Sequence, residues 1–168
     1  VPDFSITITG PSYPSADTKV FNDTFGMEQT SENLIPGIYT VTESDLEGPW
    51  SVVIDPTSFE VLSGEDTTVD VTVTNTYTPG SLTVLKVIDT NDAIGLVVPD
   101  FEITITGPSY PSGDTKVFNE TNGLEQTWNG LIPGTYTVTE PGIAAPWNVV
   151  IDPATYDVES GEDTTVDV

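Results

Sequence analysis

The chain has 168 residues and a formal net charge of −24, from 27 acidic against 3 basic side chains. Such a surface repels nucleic acid and anionic lipid, so we expect neither nucleic-acid binding nor membrane insertion. Histidine and cysteine are both absent, which removes disulfides, the commonest transition-metal ligand and the usual general base, so we expect no metal, no cofactor and no catalytic turnover.

Alternating apolar and polar residues predict short β-strands along the whole chain. Turn residues such as Pro36-Gly37 and Asp55-Pro56 separate them, and Thr78-Pro79-Gly80 forms a linker. Val, Thr and Ile favour strands over helices. The predicted strands cover residues 4–9, 18–22, 26–30, 38–43, 50–54, 59–62, 67–77 and 81–88.

The second half of the chain repeats the first. VPDFSITITGPSYPS at Val1 returns as VPDFEITITGPSYPS at Val98, an offset of 97 residues (98 − 1), and 51 of the first 71 positions match their partners. Seven or so strands in each period predict an all-β fold of two tandem antiparallel β-sandwich domains. We place them at residues 1–79, lacking a first strand, and 80–168, lacking the end of a last strand, and expect a longer array.

Three polar residues occupy positions that the two-residue period assigns to the core: Lys86, Glu140 and Asn75. Each follows two apolar residues of the same strand face, and Glu43 is the counterpart of Glu140 in the first copy. A buried unpaired charge is costly. The pattern therefore leaves two hypotheses open, which are a salt bridge with a nearby amide and a covalent isopeptide bond.

Burial lowers the pKa of an amine and raises the pKa of a carboxyl group. A buried lysine can then attack a carboxamide as the neutral amine, while a protonated glutamate transfers the proton and ammonia leaves. This chemistry needs the three residue types found here, and no cofactor.

SLTVLKV at Ser81, LIPGTYTVTE at Leu131 and TTVDVTVTNTY at Thr67 resemble the Cna protein B-type domain. This is the Ig-like, prealbumin-like (transthyretin-like) sandwich of bacterial surface adhesins and pilins. The resemblance implies an isopeptide bond in each domain, with Lys86 as amine, Glu43 and Glu140 as proton-transferring acids and Asn75 as acyl donor. It also implies an extracellular stalk or fibre at the cell surface, whose partners are copies of itself, neighbouring repeats and the cell envelope.

Neither copy holds a complete triad. The first has Glu43 and Asn75, and the second has Lys86 and Glu140. The first and last strands should run parallel, and a three-residue linker spans only about 10 Å, too little for a parallel crossover. We therefore predict no Lys86–Asn75 bond within one chain, and expect flanking sequence or a neighbouring molecule to supply the missing strand.

Two further features bear on function. Asn22 and Asn119 begin matched N-x-T sequons and are candidates for N-glycosylation, with chance followed by duplication as the alternative. Trp50 and Trp147, each after a proline, are core candidates. They also support an alternative function, an adhesin or accessory module that binds carbohydrate or protein through loop aromatics.

Overall fold

The computed structural model describes residues 2–44, 46, 48–64, 68–152 and 154–168. The chain divides into two compact units, Val1–Tyr77 (unit 1) and Thr78–Val168 (unit 2). The described residues form strands and turns without a helix, which confirms the all-β prediction. Among them, no helix is long and apolar enough to cross a membrane.

Unit 1 contains a four-stranded antiparallel sheet, in the order β2-β1-β3-β5, and a separate antiparallel pair, β4 with β6. The strands are β1 (Phe4–Gly10), β2 (Tyr13–Phe21), β3 (Gly37–Glu43), β4 (Trp50–Asp55), β5 (Ser58–Val61) and β6 (Thr72–Tyr77).

Unit 2 contains a four-stranded antiparallel sheet, in the order β12-β11-β8-β9, and a three-stranded sheet, β10-β7-β13. Side chains from both sheets meet in one buried cluster, as in a β-sandwich. The strands are β7 (Gly80–Leu85), β8 (Phe101–Gly107), β9 (Tyr110–Phe118), β10 (Glu125–Leu131), β11 (Gly134–Thr139), β12 (Thr155–Val158) and β13 (Asp163–Asp167).

The first and last strands of unit 2 are neighbours. β13 pairs with β7 in parallel, from Asp163 opposite Ser81 to Asp167 opposite Leu85. The bonds from the Val168 amide to the Leu85 carbonyl, and from the Val87 amide to the Val168 carbonyl, continue the pairing. The parallel arrangement predicted for these strands is confirmed.

The two units differ in which strands they form. Each strand that is found in only one unit pairs with a partner strand that the other unit lacks among its described residues. β10 pairs with β7, whereas the equivalent residues 28–34 form no strand, so the strand predicted at 26–30 is wrong. The strand predicted at 67–77 forms only over Thr72–Tyr77; residue 67 lies outside the described residues. Conversely, β4 pairs with β6, while residues 147–152 form no strand.

The inward-facing side chains are more completely buried in unit 2 than in unit 1. In unit 2 the inward side chains of β8, Phe101, Ile103 and Ile105, are fully buried. Of their counterparts on β1, Phe4 is buried, while Ile6 and Ile8 are only partly covered. That each unit is an independent repeat domain with the predicted boundaries remains a prediction.

Candidate crosslink site

Lys86 and Glu140 form a buried ion pair in unit 2. The Lys86 Nζ lies 2.7 Å from the Glu140 Oε2, and the two side chains are 7% and 0% exposed. The Lys86 Nζ also lies 4.6 Å from the centre of the Phe101 ring. The amine is therefore held between one carboxylate oxygen and an apolar ring.

The positions of these two side chains follow from their strands. Lys86 comes directly after β7, and its backbone amide donates to the Leu124 carbonyl, which keeps its side chain on the face of the buried Leu82 and Val84. Glu140 comes directly after β11, on the face of the buried Val138. Since successive side chains of a strand alternate between faces, both polar groups point into the core.

Glu43 and Asn75 form the corresponding pair in unit 1. The Asn75 Nδ2 donates a hydrogen bond of 3.1 Å to the Glu43 Oε1. Burial raises the pKa of Glu43 above its ordinary value, while the hydrogen bond from Asn75 opposes that shift. The environment of this carboxyl group therefore favours the protonated acid relative to water.

Three buried oxygen atoms of these residues have no hydrogen-bond partner among the described residues: Glu43 Oε2, Asn75 Oδ1 and Glu140 Oε1. In unit 2 one glutamate oxygen binds the lysine and the other is free. In unit 1 one oxygen binds the asparagine and the other is free. Glu43 and Glu140 are equivalent by sequence, so equivalent glutamates contact an asparagine in unit 1 and a lysine in unit 2.

The structure thus brings the four predicted residues together as two pairs, with Lys86 in unit 2 and Asn75 in unit 1. Their role in a covalent bond remains a prediction. The absence of a Lys86–Asn75 bond within one chain also remains a prediction.

A buried tyrosine that sequence reasoning did not single out anchors the glutamate strand of each unit. Tyr136 is fully buried, and its hydroxyl lies 2.8 Å from the Ser109 Oγ and 2.9 Å from the Ile132 carbonyl. Tyr39 makes the equivalent contacts in unit 1. The repeated GPS and PGxY segments were the available signal, since a buried tyrosine usually finds a partner for its hydroxyl.

The sequon asparagines hold turns. The Asn22 Oδ1 accepts from the amides of Thr24 and Phe25, and its Nδ2 donates to Asp3. Asn119 repeats this arrangement in unit 2. Such contacts give both asparagines a structural role in an Asx-type turn. Glycosylation at either position remains a prediction.

The two tryptophans behave as partly buried packing residues. Trp50 packs edge-on against Phe4 with the ring centres 5.6 Å apart, and Trp147 packs in the same way against Phe101 at 5.7 Å. This agrees with the core interpretation. The adhesin alternative remains a prediction that no contact here supports.

The chain matches no protein-family model and no curated protein by sequence. Three solved structures show loose similarity, each at 12% identity over 99% of this chain. The Bacillus anthracis TIE protein gives a TM-score of 0.47, and the match spans 34% of that protein. A minor pilin of Streptococcus agalactiae gives 0.37 over 82% of its length, and the group B streptococcus pilus 2b backbone protein gives 0.40 over 77%. Scores below 0.5 at this identity assign neither a family nor a function.

Proposed function

We propose that this chain is part of an extracellular stalk or fibre at a cell surface, built from sandwich repeats that are each closed by one Lys–Asn isopeptide bond. The observation that carries the proposal is the complementarity of the two pairs, of which Lys86–Glu140 is buried and Glu43–Asn75 is partly buried. Glu140 holds the lysine and has a free oxygen, whereas Glu43 holds the asparagine and has a free oxygen. A completed unit would satisfy both oxygens of one glutamate.

The proposed reaction balances without a cofactor. The neutral lysine Nζ attacks the Cγ of the asparagine carboxamide, forming a C–N bond. The protonated glutamate hydrogen-bonds the carboxamide and passes a proton to the departing nitrogen, which leaves as ammonia. The glutamate recovers a proton from the attacking amine, so it is regenerated, and the reaction occurs once per domain.

Completion of each unit requires a strand that the 168 residues do not place there. In unit 1 this is a strand equivalent to β7, and in unit 2 it is a strand equivalent to β6. Either flanking sequence or a neighbouring subunit would supply it, through backbone pairing along an open sheet edge. The partners would then be copies of this chain or adjacent repeats, attached to the cell envelope.

A bond between the first and last strands suits a load-bearing fibre. Pulling force would pass through the covalent tie, and the remainder of the domain would be shielded. By analogy with disulfides, closing a loop of most of one period is worth about 4–5 kcal/mol through loss of chain entropy. This would stabilise domains that contain no cysteine.

Intact-mass analysis tests the proposal. The chain is extended after Val168 by a copy of residues 72–79, which supplies the missing asparagine strand to unit 2. We expect a mass lower than calculated by one ammonia, and an unshifted mass when the added asparagine is replaced by alanine or when Lys86 is replaced by arginine. An unshifted mass in the extended parent would overturn the isopeptide bond and leave the salt bridge.

A further inference from the structure

Unit 1 has an open groove of about 890 Å³. Its lining includes the partly covered Ile6 and Ile8, together with residues 28–34 and 68–71. We call this space the strand groove. Both segments lack a sheet partner within the part of unit 1 that the structure describes.

Unit 2 shows what fills the equivalent space. There β7 lies between β10, which it pairs antiparallel, and β13, which it pairs parallel. The side chains of Leu82 and Val84 are fully buried in the core. Residues 28–34 and 66–70 are the sequence equivalents of β10 and β13. The strand groove is therefore shaped for an extended strand in the position and direction of β7.

The largest difference in side-chain volume between the strand groove and its counterpart lies at one level. Trp128 of β10 lies directly opposite Leu82 and is only 2% exposed. The equivalent residue in unit 1 is Ser31, which lines the groove. Replacing a buried indole by a hydroxymethyl group leaves unfilled volume at this level.

The other differences between the apolar walls are smaller, since Phe59 replaces Tyr156 and Leu62 replaces Glu159. Four core positions are identical in the two units, namely Ile6, Ile8, Phe21 and Val41 with their counterparts. Met27 replaces Leu124, which is a volume-conserving change. An occupant with the β7 sequence would consequently leave a cavity beside its Leu82 position.

We infer that the strand groove is filled by an extended strand that runs in the direction of β7 and carries an aromatic side chain at the level of Leu82, opposite Ser31. Four residues later this strand carries a lysine, which faces the free Oε2 of Glu43. The inference rests on the strand completion proposed above. It adds that the occupying strand must carry an aromatic side chain at the level of Leu82. The pair Trp–Leu of unit 2 becomes Ser–aromatic in unit 1, so each groove selects its own strand.

Binding of two synthetic strands to the full 168-residue chain tests this inference. Both carry the sequence of residues 78–89 with the lysine replaced by methionine, so that neither can form a covalent bond; one keeps leucine at the Leu82 position and the other has phenylalanine. We expect the phenylalanine strand to bind about tenfold more tightly, because it buries more apolar area. Fluorescence anisotropy of labelled strands gives the two affinities.

The matched control is the Ser31→Trp variant. An indole at this position should reverse the order, with the leucine strand now binding more tightly than the phenylalanine strand. If neither strand binds the parent chain, or if the order is the same in parent and variant, the inference is wrong. Strands that retain the lysine separate the isopeptide proposal from the groove proposal. If they bind in the expected order but no ammonia is lost, the isopeptide chemistry is refuted and the assignment of the groove occupant still holds.

Discussion

At the scale of single residues, a glutamate with one buried, unpartnered oxygen is common to both pairs among the described residues. Glu43 and Glu140 occupy equivalent positions. One oxygen of Glu43 accepts a hydrogen bond from Asn75, and one oxygen of Glu140 accepts a hydrogen bond from Lys86. A buried carboxyl with a free oxygen costs stability unless it is protonated or paired. In both copies one carboxyl oxygen is paired and the other has no partner among the described residues.

Replacing Glu43 by glutamine should make unit 1 more stable at neutral pH. Burial raises the folded-state pKa of Glu43 above its ordinary value. Between the ordinary pKa and the raised one, the folded state therefore binds more protons than the unfolded state. The free energy of unfolding consequently falls as pH rises through this range. Below it the parent and Glu43→Gln should be equally stable. Glutamine can still accept from Asn75. Thermal unfolding at acidic and neutral pH measures the effect.

The control for that experiment is Glu60→Gln, which removes one negative charge from an exposed position of β5. Any gain from lowering the overall charge of −24 should appear in both variants. If the two variants respond alike at neutral pH, burial of Glu43 does not govern the pH dependence.

At the scale of elements, a strand in this protein exists only beside its partner. Similar sequences, identical at four of seven positions, form β10 in unit 2 and an irregular segment in unit 1. The reason is that β7 has no counterpart among the described residues of unit 1. A strand edge without ladder hydrogen bonds gains little from its extended conformation, and its apolar side chains remain partly exposed. The irregular segments therefore mark where strands are missing.

Supplying the β6 equivalent should turn residues 147–152 into a strand. In the chain extended by a copy of residues 72–79, the amides of this segment should exchange with solvent at least about tenfold more slowly, since ladder bonds protect them. Hydrogen-exchange mass spectrometry with the alanine-substituted extension as a second sample separates pairing from crosslinking. Unchanged exchange in both samples would contradict the pairing.

Close packing between β8 and Tyr136 gives a second element-scale prediction. A Cβ added at Gly107 would overlap the Tyr136 ring, so Gly107→Ala must displace the anchored ring. We expect a loss of about 1–3 kcal/mol in the free energy of unfolding. Denaturant unfolding measures it, with Gly142→Ala as the control, because its added Cβ would meet no atom within 4 Å among the described residues other than its chain neighbours. Equal effects of the two substitutions would contradict the packing argument.

At the scale of the whole molecule, the two units have nearly the same sequence and unequal cores. The buried core cluster consists of residues of unit 2. In unit 1 the buried apolar side chains are Phe4, Tyr39 and Val41 among the described residues. Since apolar burial is the dominant favourable term in folding, unit 2 should be the more stable.

Exchange of two matched amides tests this difference. The Val41 amide donates to Thr57 and the Val138 amide to Ala154, each at 2.9 Å. Their local geometry is the same, so a difference in protection reports the stability of the units. We expect Val138 to exchange at least about tenfold more slowly than Val41 under native conditions. Equal protection would mean that the open groove does not weaken unit 1.

The sequence alone determined the strand type, the offset of 97 residues and the inward positions of Lys86, Glu140 and Asn75. These follow from the two-residue period, which is a local property of extended backbone. The tertiary structure decided which strands form, because each depends on ladder partners distant in the chain. It also decided which buried polar atoms have no partner among the described residues, and that Ser31 lines an open groove. Both depend on packing between segments that are distant in the chain, which no local pattern records.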